Sequence, residues 1–239
     1  MREAGALLAS GRDADIFECG PGFVLRRARV ARSLVAEADI MRLARDAGYP
    51  VPAVEEVSAD GRELVMERVD GPSMVDRMLR RPWDIAGCGR VLADLHQRLH
   101  EIEAPGWLHP GPVTPGDRFI HLDLHPLNVI MGPRGPVVID WSNAARGDPA
   151  VDVGAAWILV GGAQVPGPKL LAWMASKVRQ LFVRAFLGGV DPAVRERAAE
   201  LLEAVVDWKS HDAHISPSEI ASMRKLAVAA GKRAAHGEA

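Results

Sequence analysis

Cysteine, aromatic residues and an excess of either charge are all scarce in this chain, and each scarcity closes off a class of protein. Only two cysteines occur in 239 residues, Cys19 and Cys88, too few for a disulfide framework. A reduced cytosolic protein is the simplest account, with a single bond between the two left open. Lysine and arginine total 29 against 31 acids, a net charge of -2, so there is no basic footprint for a nucleic acid. Long apolar runs are missing too. The longest nonpolar stretch, Val151 to Val165, is broken by Asp152 and by several Gly and Ala residues. It is too short and too punctuated for a membrane span and suits a buried helix. At the N-terminus Glu3 comes early and the apolar stretch is too short for a signal peptide, so the expected location is the cytoplasm. No internal repeat or low-complexity segment stands out.

What is present is enough for one large domain or two lobes, each with a core. Ile16 to Cys19, Gly20-Pro21-Gly22 and Phe23 to Arg26 read as strand, turn, strand. Residues 31 to 47 carry Leu34, Val35, Ala38, Met41 and Leu43 at helical spacing, and Gly48-Tyr49-Pro50 ends that helix. Val51 to Val57 is extended, Asp60-Gly61 is a hairpin turn, and Glu63 to Glu67 is the return strand. Asp70-Gly71-Pro72 breaks the chain, which divides it into an N-terminal lobe, 1–70, and a C-terminal lobe, 71–239. The second part is helical apart from one segment. Helices are expected over 84–102, 169–187, 192–208 and 217–230, with a hairpin formed by 129–131 and 137–139. A small antiparallel sheet with one helix, followed by a larger helical lobe, is an α+β arrangement.

The exceptional segment is His121-Leu122-Asp123-Leu124-His125-Pro126-Leu127-Asn128, followed by Val137-Val138-Ile139-Asp140-Trp141. An Asp, an Asn five residues on and a second Asp within twenty positions suit a loop that presents a base and two metal-binding oxygens to a nucleoside triphosphate. The order Asp-x-x-x-x-Asn, with a His two residues before the Asp, matches the kinase catalytic loop. Any one of these residues alone is an ordinary turn-former. All of them in register outweigh that reading. A zinc site on His121, Asp123 and His125 is the competing idea, and it leaves Asn128 and Asp140-Trp141 without a purpose.

The whole string resembles the aminoglycoside phosphotransferase family, which also takes in choline and other small-molecule kinases. The resemblance implies a protein-kinase-like two-lobed fold and transfer of a γ-phosphate from ATP, or GTP, to a hydroxyl of a small molecule. Asp123 is then the catalytic base, Asn128 and Asp140 hold Mg²⁺, and His121 and His125 support the loop. Ala145 to Gly154 matches the family's Gly-Asp-Pro-x-x-Asp pattern, with Asp152 bracing the catalytic loop. Gly11 to Phe17 falls where the family places a loop over the phosphates, although it is no Gly-x-Gly-x-x-Gly run. Glu63 to Gly71 takes the place of the inter-lobe hinge, where backbone from Glu67 to Val69 meets the adenine edge and Met66 lines its pocket.

The departure from the pattern is at the phosphate-pairing cation. Kinases carry a Lys on the third strand, and Val24-Leu25-Arg26-Arg27 holds arginine there. Strand alternation puts Val24 and Arg26 on one face, so Arg26 is the candidate, Arg27 the alternative, and Glu37 on the next helix the ion-pair partner. The acceptor is not legible. The last helices carry acids (Glu200, Glu203, Asp207, Asp212, Glu219) alongside Arg179, Arg184, Arg195, Arg197 and Lys209; soluble surfaces carry such mixtures anyway, so the acids are expected to face solvent. Trp157, Trp173 and Trp208 are expected in the core. The alternative function is a nucleotide-binding pseudokinase that regulates or scaffolds. A protein kinase does not fit, because little room separates Asp140 from Gly147-Asp148-Pro149 for an activation segment.

Overall fold

The structure is a computed structural model that describes residues 2–11, 13–29, 33–163, 168–213 and 215–235. In chain order the elements are β1 (Leu7–Ser10), β2 (Ala14–Glu18), β3 (Phe23–Ala28), α1 (Val35–Asp46), β4 (Val54–Val57) and β5 (Glu63–Glu67). Then come α2 (Met74–Arg80), α3 (Ile85–His100), β6 (Arg118–Ile120), β7 (Val129–Gly132), β8 (Gly135–Val138) and β9 (Ala145–Gly147). Four helices follow: α4 (Pro149–Gly162), α5 (Lys169–Gly189), α6 (Pro192–Lys209) and α7 (Pro217–Ala235). The chain forms two compact units, Met1–Ser73 with Val129–Ser142, and Met74–Asn128 with Asn143–Ala239. The sequence reading cut the chain once, near residue 70; here the hairpin after the catalytic loop groups with the N-terminal residues.

In the first unit the strands form one antiparallel sheet in the order β1-β2-β3-β5-β4. Alternation along β3 buries Leu25 with Cys19 and Val65, and Phe17 and Phe23 pack against them. Helix α1 begins at Val35, four residues later than the sequence period suggests, and residues 30–32 lie outside the described chain. It ends before Gly48, whose φ of 77° is a conformation glycine adopts without penalty. The boundary at Asp70-Gly71-Pro72 has a steric basis. A Cβ on Gly71 would lie 2.6 Å from the Met131 carbonyl oxygen, so only glycine lets the β7 backbone approach this closely. The β7–β8 hairpin is tied on by Met131 N–H to Pro72 O and Val138 N–H to Pro50 O, both 2.8 Å.

The second unit is helical. The nonpolar run from Val151 is α4, a helix whose first two turns are buried. Its Gly154, Gly161 and Gly162 bring it close to Val205, Leu226 and Met223 of α6 and α7, and Val151, Ala155 and Ile158 join Leu202, Val205, Val206, Met223 and Ala227 in one core cluster. Asp148 caps α4 by accepting the Ala150 N–H, with Pro149 at the first helical position, where a missing N–H costs nothing. Two three-residue strands that sequence patterning does not signal, β6 and β9, pair antiparallel on either side of the catalytic segment.

One expectation about the core fails. Trp173 is 58% exposed, while Trp157 and Trp208 are partly buried against the α4–α6–α7 cluster. Among the described residues no helix is long and apolar enough to cross a membrane.

Candidate active site

The segment that follows β6 carries the catalytic motif, and its backbone is bent in an unusual way. Leu122, between His121 and Asp123, has a φ of 64°, and Asp140 has a φ of 63°. Left-handed backbone at a non-glycine residue costs on the order of 1–3 kcal/mol and persists only where the surroundings enforce it. For Leu122 the enforcing group is Asp152 of α4, whose Oδ1 accepts the Leu122 N–H at 2.6 Å. Asp152 is itself buried, and its Oδ2 is 2.9 Å from His100 Nε2 and 3.4 Å from His96 Nδ1. Burial pushes the Asp152 carboxyl up, yet the hydrogen bonds and charges of His100 and His96 outweigh it and hold the group well below the ordinary carboxylate range. The same enclosure pushes the His100 ring down, so imidazole is favoured over imidazolium there. Among the described residues this is the one group of three donors close enough to share a cation, with ligand atoms within 4.8 Å of one another. Here the three groups and the Leu122 amide face one another, which makes the cluster a brace for the loop.

Asp123 follows Leu122 on that loop and keeps part of its side chain exposed. Its Oδ2 accepts from Asn128 Nδ2 at 3.1 Å and lies 3.6 Å from His125 Nε2. Its Oδ1 is 3.3 Å from Lys209 Nζ. The Asn128 amide also donates to the Asp123 backbone carbonyl at 2.9 Å, which closes the Asp-to-Asn turn. His121 is fully buried and its Nδ1 accepts the Asp123 N–H, while His125 Nδ1 accepts the Leu127 N–H, both at 3.3 Å. Both rings therefore shape the loop backbone. Burial raises the Asp123 carboxyl, but the His125 hydrogen bond and the charges of His125, Lys209 and His121 win, leaving it far below the usual carboxylate range. Asp123 is an anion at any physiological pH and a weak proton acceptor in the resting protein.

The sequence reading gives Lys209 no role beyond standing among the mixed charges of the last helices; in the structure its side chain is 6% exposed. The signal was available in the helical period, since Ala198, Leu202, Val205, Val206 and Lys209 form one buried stripe of α6. A lysine on such a stripe needs a buried partner, and that partner is Asp123.

In the first unit, Arg26 is the buried cation of β3. One guanidinium nitrogen is 2.8 Å from Glu37 Oε1 and another is 3.2 Å from Asp140 Oδ1. Arg27, on the opposite face of the strand, pairs instead with Glu63 at the surface, 2.7 Å away. The alternation argument thus selects Arg26 over Arg27. Trp141, directly after Asp140, is fully buried, donates from its indole N–H to Val138 O at 3.0 Å and meets the Tyr49 ring edge-on at 5.6 Å. Glu67 accepts the Ala53 N–H at 3.2 Å and pairs with Arg134. Met66 sits in β5 between Val24 and Val54, and Val69 lies beside Gly132 of the hairpin. The Gly11–Phe17 segment is the β1–β2 turn closed by Gly11 N–H to Ala14 O at 2.9 Å, with Arg12 outside the described residues.

A cavity of about 390 Å³ in the second unit is lined by His96, Gln97, His100, Arg118 and Asp191 among others. Asp123, Asn128 and Lys209 do not line it, so it is separate from the loop chemistry.

No curated protein sequence matches the chain. Solved structures do. A choline/ethanolamine kinase family protein from Mesorhizobium loti superposes with a TM-score of 0.54 at 18% identity, covering 97% of this chain and 87% of its own. The ADP-bound aminoglycoside phosphotransferase APH(2'')-Ib gives a TM-score of 0.57 at 14% identity over 95% and 92% of the two chains. An amicoumacin kinase in complex with AMP-PNP, Ca²⁺ and Ami gives 0.53 at 13% identity over 95% and 88%. At these identities the likeness establishes the protein-kinase-like fold. Residues 102–201, which include His121 to Asn128, Asp140 and Asp152, match the model of the phosphotransferase enzyme family, in keeping with the resemblance read from the sequence.

Proposed function

We propose that this protein is an ATP-dependent phosphotransferase that moves the γ-phosphate to a hydroxyl of a small molecule. The observation that carries the reading is the Asp123 carboxylate, held on both oxygens by Asn128, His125 and Lys209 at the tip of a loop braced through Leu122 and Asp152. In the reaction the acceptor oxygen bonds to the γ-phosphorus as the bond to the β–γ bridging oxygen breaks. ADP leaves with that electron pair, and the hydroxyl proton passes to Asp123. The fixed carboxylate contributes mostly by alignment, because the transition state is loose and the proton moves late.

The remaining roles follow from donor chemistry. Asn128 gives its amide N–H groups to Asp123 and has its carbonyl oxygen besides, and Arg26 takes Oδ1 of Asp140, the second carboxylate oxygen being apart from that bond. A neutral and an anionic oxygen are hard donors of the kind Mg²⁺ accepts, and this donor chemistry is what supports Asn128 and Asp140 as its ligands. When bound, that ion would neutralise charge on the β- and γ-phosphates. Arg26, fixed by Glu37, offers its planar fork to phosphate oxygens. Backbone of Glu67 to Val69 takes the adenine edge, with Met66 against the base.

The test is ADP release from Mg·ATP in the presence of sugars, amino-acid alcohols, choline-like alcohols and aminoglycosides. A rise that depends on the acceptor and vanishes in Asp123→Asn supports the assignment. Clear Mg·ATP binding with no turnover of any acceptor supports the pseudokinase instead.

A further inference from the structure

The Asp123–Lys209 pair says something about the acceptor, an inference that rests on the phosphotransferase reading. Lys209 continues the apolar stripe that packs α6 on α4, so its ammonium is placed by a rigid, buried helix rather than by a mobile surface chain. Its Nζ is 3.3 Å from Asp123 Oδ1 and 5.0 Å from the centre of the Trp208 ring. An ammonium has three N–H donors. Among the described residues Asp123 is the hydrogen-bond partner of the Lys209 ammonium.

A hydroxyl that reaches Asp123 therefore arrives within a few ångströms of a fixed positive charge. If the neighbouring carbon of that acceptor bears an ammonium, a second cation is brought beside a lysine whose side chain is only 6% exposed, and like charges at such range repel. If it bears a hydroxyl or a carboxylate, the spare N–H groups of Lys209 have an acceptor.

We propose that Lys209 is a specificity-determining residue that limits the acceptor to alcohols with a neutral or anionic group, and no ammonium, beside the reacting hydroxyl. This sets the chain apart from a kinase built for polycationic sugars, whose hydroxyls are flanked by ammonium groups. The transfer step is unchanged: oxygen to γ-phosphorus, ADP departing, the proton to Asp123. Lys209 also positions that carboxylate by holding Oδ1 while Asn128 holds Oδ2.

The experiment uses the full chain with Mg·ATP and three acceptors on one skeleton: glycerate, glycerol and 3-amino-1,2-propanediol. ADP release is followed for the wild type, Lys209→Met and Lys209→Arg. For the wild type, kcat/KM with glycerate or glycerol is expected to exceed that with the amino alcohol by about tenfold or more. Lys209→Met, an apolar chain of similar length on an apolar stripe, is expected to bring the ratio to within about twofold, with Lys209→Arg keeping the order. A merely structural lysine would change rates without changing that ratio. The proposal is overturned if the amino alcohol is preferred, if Lys209→Met leaves the ratio where it was, or if a protein that binds Mg·ATP turns over none of the three. Failure to bind Mg·ATP at all, measured by calorimetry, instead overturns the phosphotransferase reading and removes the footing of this one.

Discussion

Two carboxylates of the second unit, Asp152 and Asp123, are both held below the ordinary carboxylate range, yet they serve opposite ends. Asp152 is wholly enclosed, and its oxygens face two imidazoles and a backbone amide. Asp123 keeps 23% of its side chain exposed and leans on a lysine, an amide and an imidazole. The first has no face left for a ligand and fixes the backbone. The second is preorganised and still reachable. A depressed carboxyl is therefore common to both, and the residual exposure beside a charge partner is what singles out Asp123 as the candidate.

The sharpest way to break this comparison is to neutralise each carboxylate in turn. Asp123→Asn retains an oxygen acceptor and the loop fold, and turnover should fall by about 10²–10⁴ while the melting temperature moves little. A variant that turns over normally would strip Asp123 of its role. Asp152→Ala should do the reverse in kind. It orphans the Leu122 amide and the facing histidines, costing about 3 kcal/mol, or roughly 6–12 °C in melting temperature, with activity lost alongside. An Asp152→Ala protein that melts normally would mean that the brace is ornamental.

Acid should separate the two sites along the pH axis. The His100 ring favours its neutral form in the fold, so below its unfolded value of about 6.5 the unfolded chain takes up a proton that the folded one resists. Stability should therefore decline as pH falls from about 6.5. The carboxyl contributions of Asp152 and Asp123 are present above the unfolded value of about 3.9 and are lost as pH falls below it. Melting temperature against pH should thus bend twice, and His100→Asn should remove the upper bend alone. A curve flat down to pH 5 in the wild type argues against an enclosed neutral His100.

A smaller effect is expected in the first unit. Arg26 reaches Glu37 and Asp140 with separate nitrogens. Lysine offers one compact charge without the planar fork that spans the two partners, so Arg26→Lys should raise KM for Mg·ATP by about tenfold and lower kcat less. An unchanged KM would show that the usual lysine is interchangeable here.

Much of the fold is written in local pattern. The helical periods of α3, α5, α6 and α7, the strand–turn–strand at β2 and β3 and the β7–β8 hairpin are all legible in the sequence, because each depends on residues a few positions apart. β1 was missed since its four residues are exposed and carry no alternation, and β6 and β9 since three residues are too few to show a period. Trp173 was misplaced because size alone does not bury an aromatic; a partner face must exist.

The motif residues were also legible as a set, for Asp123, Asn128 and Asp140 stand in one short stretch whose order is itself the signal. The sequence by itself thus determined most of the elements, the family resemblance and the loop to which the chemistry is assigned. Tertiary structure alone decided what holds each charged group. Asp123 meets a lysine 86 positions away, Asp152 a histidine 52 away, and Arg26 the Asp140 carboxylate 114 away. Local periodicity says which face of an element is buried. Which distant charge shares that burial is set only when the elements pack, because a buried ion's energy depends on its one nearest partner rather than on its neighbours in sequence.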